Sequence, residues 1–383
     1  MRCLLALLLL PFLALAAFAQ DSAMPKTWRV YVGTYTGPKS KGIYLYDFDA
    51  ESAKLTEQGL VGELPNPTFL TIHPSGKHLY AVSEVSGFKG TKAGGVAAFK
   101  IDPATGKLSL LNQQTSGGPG PCHISLDRTS KHALVANYGG GSVESLPIAD
   151  DGALGEPTTF IQHKGSSANK GRQGEPHAHS INVDPTNRFA MAADLGIDKV
   201  LVYAFDAKTG KLSSHEPESA KVAPGAGPRH FAFHPDGKHA FVINELLLTM
   251  TSFKYDSEKG TLTEIDTLST LPKDAKRVGA STAEVVVHPN GKFVFGSNRG
   301  HNSITTFKFE NGKLSWVANQ ASDINTPRNF VLDPTGKFLL VGNQGGNSIT
   351  VFRVDQNTGE LTQVGEPTTG VSAPVCLRFT PKP

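Results

Sequence analysis

The sequence is poor in the residue types that stabilise small secreted domains or bind nucleic acid. Its 383 residues include only three cysteines, and its formal charge is +3, with no run of lysine or arginine. A chain without a basic cluster is a poor partner for nucleic acid, and we expect none. Cys122 and Cys376 fall in repeats that are not adjacent, so we expect no disulfide between them. Without a haem motif or a cysteine pair, redox chemistry has no support in the sequence.

Long hydrophobic runs are also absent, except at the N-terminus. An apolar stretch, Leu4–Ala16, follows Arg2 and precedes the small-x-small site Ala17-Phe18-Ala19. This stretch is too short for a membrane span and has the order of regions typical of a secretory signal peptide. We therefore expect a signal peptide over residues 1–19 and a linker over residues 20–27. The mature protein would be secreted or periplasmic, with no membrane contact after signal removal.

Two phrases recur about every 50 residues along the rest of the chain. The first is an apolar run, a Gly-Lys-type turn and a second apolar run that ends in a polar residue. Its six copies begin at His73, Asp127, Asp184, His234, His288 and Asp333. The second is an aromatic-rich run, an Asp, a Gly-containing turn and a Leu, and it occurs seven times between Tyr46 and Leu361. Short alternating strands between turns at this period are typical of a β-propeller.

A third phrase, usually begun by proline, precedes each hairpin and shows how the ring closes. Its copies begin at Pro67, Pro121, Pro176, Pro228 and Pro327, and the copy at Thr282–Pro289 lacks the proline. A seventh copy begins at Pro374 with no hairpin after it, and the strand that should follow it is Trp28–Thr36 at the other chain end. Pairing these ends would remove the exposed sheet edges.

The sequence therefore predicts an all-β fold with seven blades of four antiparallel strands. The ring is closed by pairing the C-terminal strand with the N-terminal strands. Residues 28–383 form one propeller, and residues 28–64 and 374–381 share blade 7.

One face of this propeller gathers polar residues. Antiparallel geometry places the starts of the innermost strands and the ends of the second strands on the same face. The starts of the innermost strands hold Cys122, His123, His177, His179, Arg229, His230, Arg328 and Asn329. The ends of the second strands hold Glu84, Asn137, Tyr138, Asp194, Asn244, Glu245, Asn298, Arg299, Asn343 and Gln344. The innermost strands line the central channel, so these groups converge on its mouth, the default location of an active site.

The histidines need sorting before any is given a chemical role. His73, His234 and His288 occupy a turn position that other repeats fill with aspartate, so we expect them to cap the hairpins. His177-x-His179 on a strand would present two imidazoles to one side. A third metal ligand at a matching spacing is missing from the sequence, and arginines compete for the same space. We therefore expect neither a metal nor another cofactor.

The loop Gly165–Glu175 is an irregular, polar and basic insertion on the same face. Either Lys170 or Arg172 in it could meet an anionic group of a substrate. The alternative is a solvated linker, and the sequence leaves both open.

Several motifs together resemble the lactonase family of seven-bladed propellers. They are YVGTYT, PCH, ANYGGGSV, RQGEPHAH, DLGIDKV, GPRHFAFHP, NELL, SNRG and PRNFVLDP, in order between Val30 and Pro381. This family includes the bacterial 6-phosphogluconolactonases and the fungal carboxy-cis,cis-muconate cyclase. The resemblance implies a small lactone or ring-closing substrate with carboxylate or phosphate groups, handled without a metal. It implies site residues at His177 or His179, Arg229, Glu245 and Arg299, and the motif does not decide between the two histidines.

Opening a lactone requires an activated water and a group that holds the charge developing on the carbonyl oxygen. We expect Arg229 and Arg299 to hold that charge. We expect His177, His179 or Glu245 to take the proton, Glu245 with a pKa raised by burial. An ion pair between Arg229 and Glu245 is the structural alternative. We expect substrate contacts from His123, Arg172, His230, Asn298 and Arg328.

Three functions remain open at this point. The favoured one is a lactone hydrolase acting on a sugar lactone or a similar anionic lactone, as a monomer or weak homodimer. The alternatives are a muconate-type cycloisomerase and a non-catalytic binding propeller, because fold does not fix function. The predicted export argues against a strictly cytoplasmic phosphorylated substrate.

Overall fold

The computed structural model describes residues 25–383, so the predicted signal peptide and the linker up to residue 24 lie outside the described residues. The described part forms seven sheets of antiparallel strands, with one 3₁₀ turn at Phe88–Gly90. No helix among these residues is long and apolar enough to cross a membrane. The prediction of an all-β propeller with seven blades of four strands is confirmed.

The strands follow one another in chain order, and each blade is built from the channel outwards. The first three are β1 (Thr27–Thr34), β2 (Gly42–Asp49) and β3 (Lys54–Glu63). Blade 1 consists of β4 (Leu70–Ile72), β5 (His78–Ser83), β6 (Gly95–Ile101) and β7 (Leu108–Thr115). Blade 2 consists of β8 (Pro121–Leu126), β9 (His132–Asn137), β10 (Ser142–Pro147) and β11 (Thr159–Gln162). Blade 3 consists of β12 (Ala178–Val183), β13 (Phe189–Asp194), β14 (Lys199–Asp206) and β15 (Lys211–Lys221).

Blades 4 to 6 repeat this arrangement. Blade 4 consists of β16 (Pro228–Phe233), β17 (His239–Asn244), β18 (Thr249–Asp256) and β19 (Thr261–Ser269). Blade 5 consists of β20 (Ser281–Val287), β21 (Phe293–Arg299), β22 (Ser303–Glu310) and β23 (Lys313–Gln320). Blade 6 consists of β24 (Pro327–Leu332), β25 (Phe338–Asn343), β26 (Ser348–Val354) and β27 (Leu361–Gln363), and the short β28 (Thr368–Thr369) also pairs with β26. Blade 7 has the order β29 (Pro374–Pro381), β1, β2, β3.

The ring closes through β29, as predicted. This strand pairs antiparallel with β1 from Trp28↔Pro381 to Thr34↔Pro374. The ring of Phe379 contacts Trp28 and Phe48 at centroid distances of 6.4 and 5.6 Å in edge-on geometry, which adds to the hydrophobic gain. The two chain ends are thereby joined by main-chain hydrogen bonds and by aromatic packing.

The hydrophobic core lies between the faces of neighbouring blades. Second strands such as β9 are buried at every position, because both faces of a blade are covered, and they read as continuous apolar runs. Outer strands such as β15 are exposed at most positions. The innermost strands contact one another all the way around, from β4 through β29, and enclose the channel. The channel can therefore hold polar groups without interrupting the apolar core.

The two sets of polar positions lie on the same face, as the antiparallel geometry predicts. The first residue of an inner strand pairs with the last residue of the next strand, as in Pro121↔Asn137 and Pro228↔Asn244. The same pairing holds for Ala178↔Asp194 in blade 3. The predicted hairpin caps also form: the Nδ1 atoms of His73 and His234 accept backbone N–H groups two residues on, at 3.1 and 3.2 Å.

Candidate active site

A cavity of about 260 Å³ opens at the mouth of the channel on the polar face. Every blade contributes at least one side chain to its wall, and the loop between blades 2 and 3 adds another. The lining residues are Tyr35, Glu84, Cys122, Tyr138, Arg172, His179, Glu245, Arg299 and Arg328. Larger surface grooves of about 540, 580 and 610 Å³ exist elsewhere, but Arg29 is the one buried ionisable side chain among their lining residues. The mouth cavity is therefore the candidate site.

β-Bulges position the side chains that the inner strands contribute. The pairing of inner and second strands skips one residue in five blades. In blade 7 the skipped residue is Val375. In blades 2, 3, 4 and 6 the skipped residues are Cys122, His179, Arg229 and Arg328. A bulge re-aims a side chain that regular pairing would place elsewhere. Each of the last four residues lies five positions before the residue that caps its hairpin, for example Arg229 before His234. The bulge thus repeats the same device around the ring.

Glu245 is the centre of an arginine cluster. Its Oε2 atom lies 3.1 Å from Arg229 Nε and 2.9 Å from Arg299 Nη2, and its Oε1 atom lies 2.7 Å from Arg172 Nη2. Burial alone would raise the pKa of Glu245, but Arg299, Arg229 and Arg172 lower it to about 2. The expectation of a raised pKa for Glu245 is therefore wrong, because three guanidinium groups share one carboxylate. An ionised carboxylate held this way is a weak base.

The arginines themselves are not equivalent. Arg229 is 2% exposed and also donates to the carbonyl of Ala283, and burial together with Arg299 and Arg328 lowers its pKa to about 10. Arg299 also donates to Thr282 O at 2.8 Å, and its buried Nε has no partner among the described residues. The predicted Arg229–Glu245 ion pair is present in this structure.

Arg328 differs from these because no carboxylate among the described residues lies within 4.0 Å of it. Its guanidinium lies 5.4 Å from the ring centroid of Tyr35, whose hydroxyl donates to Glu84 Oε1 at 3.0 Å. Glu84 also accepts a hydrogen bond from Thr68. Arg328 is therefore the wall arginine best placed to accept an anion from solution.

The structure separates the two histidines that the motif left open. His179 lies in the wall of the cavity, 4% exposed, with Nδ1 3.5 Å from Cys122 Sγ. Burial, aided by Arg229 and His230, holds its pKa well below the usual value, so the imidazole is neutral. His177 lies at the rim, stacked on Tyr138 at 4.5 Å, with Nδ1 2.9 Å from the Tyr138 carbonyl oxygen. Only His179 therefore faces the cavity.

Two further predicted residues lie deeper in the channel. His123 and His230 are both buried, and their ring centroids are 5.5 Å apart. His230 lies 5.4 Å from the ring of His179, and its Nδ1 is 2.8 Å from Glu284 Oε1. Burial lowers the pKa of both His123 and His230, so both imidazoles are neutral. Neither is placed to bind a substrate at the mouth directly.

Asn298 does not fit the predicted substrate contact. Its amide is fully buried and donates to Ser303 Oγ and Thr305 Oγ1 at 3.1 and 2.8 Å, and its Oδ1 accepts from Thr270. Asn137, Asn244 and Asn343 make the equivalent bond to the first residue of the next strand. Asn298 therefore stabilises the turn between the second and third strands of its blade, and the next residue, Arg299, lines the cavity.

The loop Gly165–Glu175 is exposed at most positions but is anchored at Ser167 and Gln173. Gln173 is buried and donates to Leu195 O and Asp198 Oδ1 at 2.8 and 2.7 Å, and Ser167 donates to Asp198 Oδ2 at 2.5 Å. Arg172 projects from this loop over the mouth, where it donates to Glu245 and, at 3.0 Å, to Tyr138 Oη. The predicted position of Arg172 at the site is observed, whereas Lys170 does not line the cavity.

The predicted site histidines are not part of a three-ligand metal cluster among the described residues. Neither His177 nor His179 belongs to a group of three His, Cys, Asp or Glu residues, among those described, whose ligand atoms lie within 4.8 Å of one another. The group of this kind that does occur is His234, Asp236 and His239, in the hairpin at the opposite end of the blade. There His234 already uses Nε2 for the carbonyl of Gly291 and Nδ1 as a turn cap.

Comparison with known proteins agrees with this architecture. Residues 29–379 match the family described as Lactonase, 7-bladed beta-propeller. The 6-phosphogluconolactonase of Bacillus subtilis (strain 168) is 38% identical over 351 residues, which cover 91% of this chain and 97% of that protein. The 6-phosphogluconolactonase of Pectobacterium carotovorum subsp. carotovorum (strain PC1) is 31% identical and covers 89% and 95%. The solved periplasmic gluconolactonase of Pseudomonas aeruginosa has a TM-score of 0.87 at 30% identity and covers 93% and 100%. The chain therefore belongs to the lactonase family of seven-bladed β-propellers.

Proposed function

We propose that this protein hydrolyses an anionic sugar lactone at the mouth cavity, without a metal, and that arginines assist the reaction. The observation that carries the proposal is a wall with three arginines, two carboxylates and one neutral imidazole in a propeller of the lactonase family. The names of the relatives from Bacillus and Pectobacterium make a phosphorylated lactone the first substrate to test, although the predicted export argues against a strictly cytoplasmic metabolite as the physiological substrate. The cavity volume of about 260 Å³ suits a ligand smaller than a typical drug, for which pockets are about 300–1,000 Å³.

The arginines supply the electrostatic part of the proposed reaction. Water adds to the lactone carbonyl carbon, and negative charge develops on the carbonyl oxygen before the ring C–O bond breaks. Arg328, which has no carboxylate within 4.0 Å in the described part of the chain, binds the anionic group of the substrate. Arg299 lies on the next blade and stabilises the developing charge. Fixed cations in a partly dry site need little reorganisation, which is why such groups lower barriers effectively.

A neutral imidazole supplies the proton transfer. Because its pKa is low, Glu245 serves to position the arginines that it pairs with and is a poor general base. His179 faces the cavity as a neutral imidazole and is the predicted histidine that can exchange a proton with the substrate. General acid–base catalysis typically contributes about 10²–10⁴-fold, so a His179→Gln variant should retain weak turnover.

Substrate assays with one arginine variant test this function. Ring opening releases a proton as the acid forms, so a pH-stat follows 6-phosphogluconolactone and uncharged glucono-1,5-lactone, and ultraviolet absorbance follows a carboxymuconate. We expect turnover of the phosphorylated lactone, unchanged by EDTA, and a KM raised about tenfold or more in Arg328→Met. Arg188→Met removes a half-exposed arginine in the turn of the β12–β13 hairpin and is the matched control. Equal KM values for Arg328→Met and wild type would contradict the anion-binding role.

We also propose that the protein acts outside the cytoplasm as a monomer or weak homodimer. The apolar segment Leu4–Ala16 and the similarity to a periplasmic gluconolactonase support export. Cell fractionation of the full chain and of a chain without residues 2–19 should place only the first outside the cytoplasm. Light scattering on the purified protein tests the oligomeric state.

A further inference from the structure

His230 combines burial, neutrality and an unused nitrogen. It is 4% exposed, and its Nε2 atom has no hydrogen-bond partner among the described residues. Buried polar atoms are nearly always paired, and an exception calls for an explanation. The imidazoles of His123 and His179 face this ring from other inner strands. Arg229, its neighbour on β16, and Arg328 act on it as like charges.

Glu284 fixes which nitrogen of His230 carries the proton. Its Oε1 atom accepts from the Val285 backbone N–H at 3.1 Å and lies 2.8 Å from His230 Nδ1, and its Oε2 atom accepts from Asn329 Nδ2. Burial alone would raise the pKa of Glu284, but the facing His230 and nearby arginines lower it, so Glu284 is an ionised acceptor. His230 must therefore donate from Nδ1, which leaves a lone pair on Nε2.

A small chamber lies beside the His230 side chain. It has a volume of about 10 Å³, which is about the space of one water molecule, and His230 and Arg229 are in its wall. The chamber shares Glu84, Cys122 and Arg328 with the wall of the mouth cavity. A water molecule in it would therefore lie between the His230 ring and the space that receives the lactone.

We propose that His230, positioned by Glu284, is the residue that deprotonates the attacking water, an inference that rests on the proposed lactone hydrolysis. The water O–H bond breaks and its proton goes to His230 Nε2 while the water oxygen bonds to the carbonyl carbon. When the ring C–O bond breaks, that proton passes to the leaving ring oxygen through His179, whose ring lies 5.4 Å away. The sum is the addition of one water. Glu284 is a positioning residue, because it acts through the imidazole.

Steady-state kinetics of two variants test this assignment. His230→Gln removes the proton acceptor. Glu284→Gln keeps the shape but lets the amide donate to Nδ1, which favours the wrong tautomer, as replacing the carboxylate of a catalytic triad does. We expect kcat to fall about 10²–10⁴-fold in both, with KM within about threefold of wild type. The matched control is Glu144→Gln, a fully buried glutamate on β10 outside the site, which should leave kcat unchanged.

The outcomes separate the two proposals. Wild type without turnover of any lactone overturns the proposed function and this inference with it. An active wild type, with folded variants whose kcat stays within about threefold, overturns the inference alone. A loss confined to KM also overturns it, because it would make His230 a binding residue. Circular dichroism verifies folding, and if Glu284→Gln does not fold, His230→Gln decides the question.

Discussion

Replacing Glu245 by glutamine should reveal how strongly one carboxylate holds the arginine cluster. The pKa of Glu245 is about 2 in the fold, against about 4.5 for a free glutamate. A difference of that size corresponds to about 3 kcal/mol. Because the folded pKa is the lower one, this stability is present above pH 4.5 and is lost as the pH falls through about 2. We therefore expect Glu245→Gln to lose roughly 3–5 kcal/mol at pH 7, as when one partner of a buried ion pair is removed.

Replacing the arginine partner of this pair, Arg229, should have a different effect on stability. Burial and the neighbouring arginines disfavour the charged form of Arg229, which is why its pKa is lowered to about 10 even though it contacts Glu245. The net pKa shifts of the two partners thus differ: the arginines outweigh burial at Glu245, whereas burial and the other arginines outweigh the favourable effect of Glu245 at Arg229. Arg229→Met should destabilise the protein less than Glu245→Gln does, because Glu245 keeps Arg299 and Arg172 as partners and is not left as an unpaired buried charge.

Urea unfolding of the two single variants and the double variant at pH 7 measures both effects. The double variant Glu245→Gln/Arg229→Met should recover part of the loss, because one of the three unpaired guanidinium groups is gone. A Glu245→Gln protein within 1 kcal/mol of wild type would refute the reasoning. So would a pH–activity profile that loses an ionisation near pH 5–7 on this substitution, because Glu245 would then be the base.

Three other outcomes follow from the structure. Burial, with a small contribution from Glu156, raises the pKa of Glu144 to about 8, so the native state should lose stability as the pH rises from 4.5 to 8, at up to about 1.4 kcal/mol per pH unit. Glu144→Gln should flatten that dependence in urea unfolding at pH 5 and 9. Deleting residues 374–383 should expose the edge of β1 and yield aggregated protein on gel filtration, whereas deleting residues 382–383 should cost at most about 1 kcal/mol. Arg172→Met should raise KM for the phosphorylated lactone severalfold and leave kcat nearly unchanged, since Arg172 is 42% exposed at the mouth.

The fold was predictable from the sequence because each blade repeats the same turns. The proline-led phrase and the hairpin together gave seven blades and their closure, and antiparallel geometry then placed Arg229, Glu245 and Arg299 on one face. These residues do meet there, within hydrogen-bond distance. Periodicity alone carries this information, because the number of turns and the direction of each strand determine which ends coincide.

The parts of the site that the sequence did not predict depend on details within one repeat. In Asn298-Arg299 the first residue clasps the turn and the second reaches the cavity, and no composition rule separates them. The proline-led phrase does not point to Glu284, because its strand lacks the leading proline. Counting back from the hairpin cap would have found it, since His230 precedes His234 by the same four positions as Glu284 precedes His288. The pKa direction of Glu245 required knowing that three arginines converge on it.

The same count also explains why His179 rather than His177 reaches the cavity. Pro176 stands two residues earlier relative to its hairpin than the prolines of the other blades, so Ala178, not Pro176, pairs at the start of the strand. The bulge then falls on His179, as it falls on Arg229 and Arg328 in their blades. A variant that inserts one residue between Pro176 and His177 should leave this bulge in place, because the hairpin that fixes it lies on the other side. By contrast, inserting one residue between His179 and Asp184 should move His179 out of the cavity wall. We expect the first insertion to preserve lactone turnover and the second to abolish it in a protein that still folds, and the opposite result would show that the leading proline, not the hairpin, sets the register of the site.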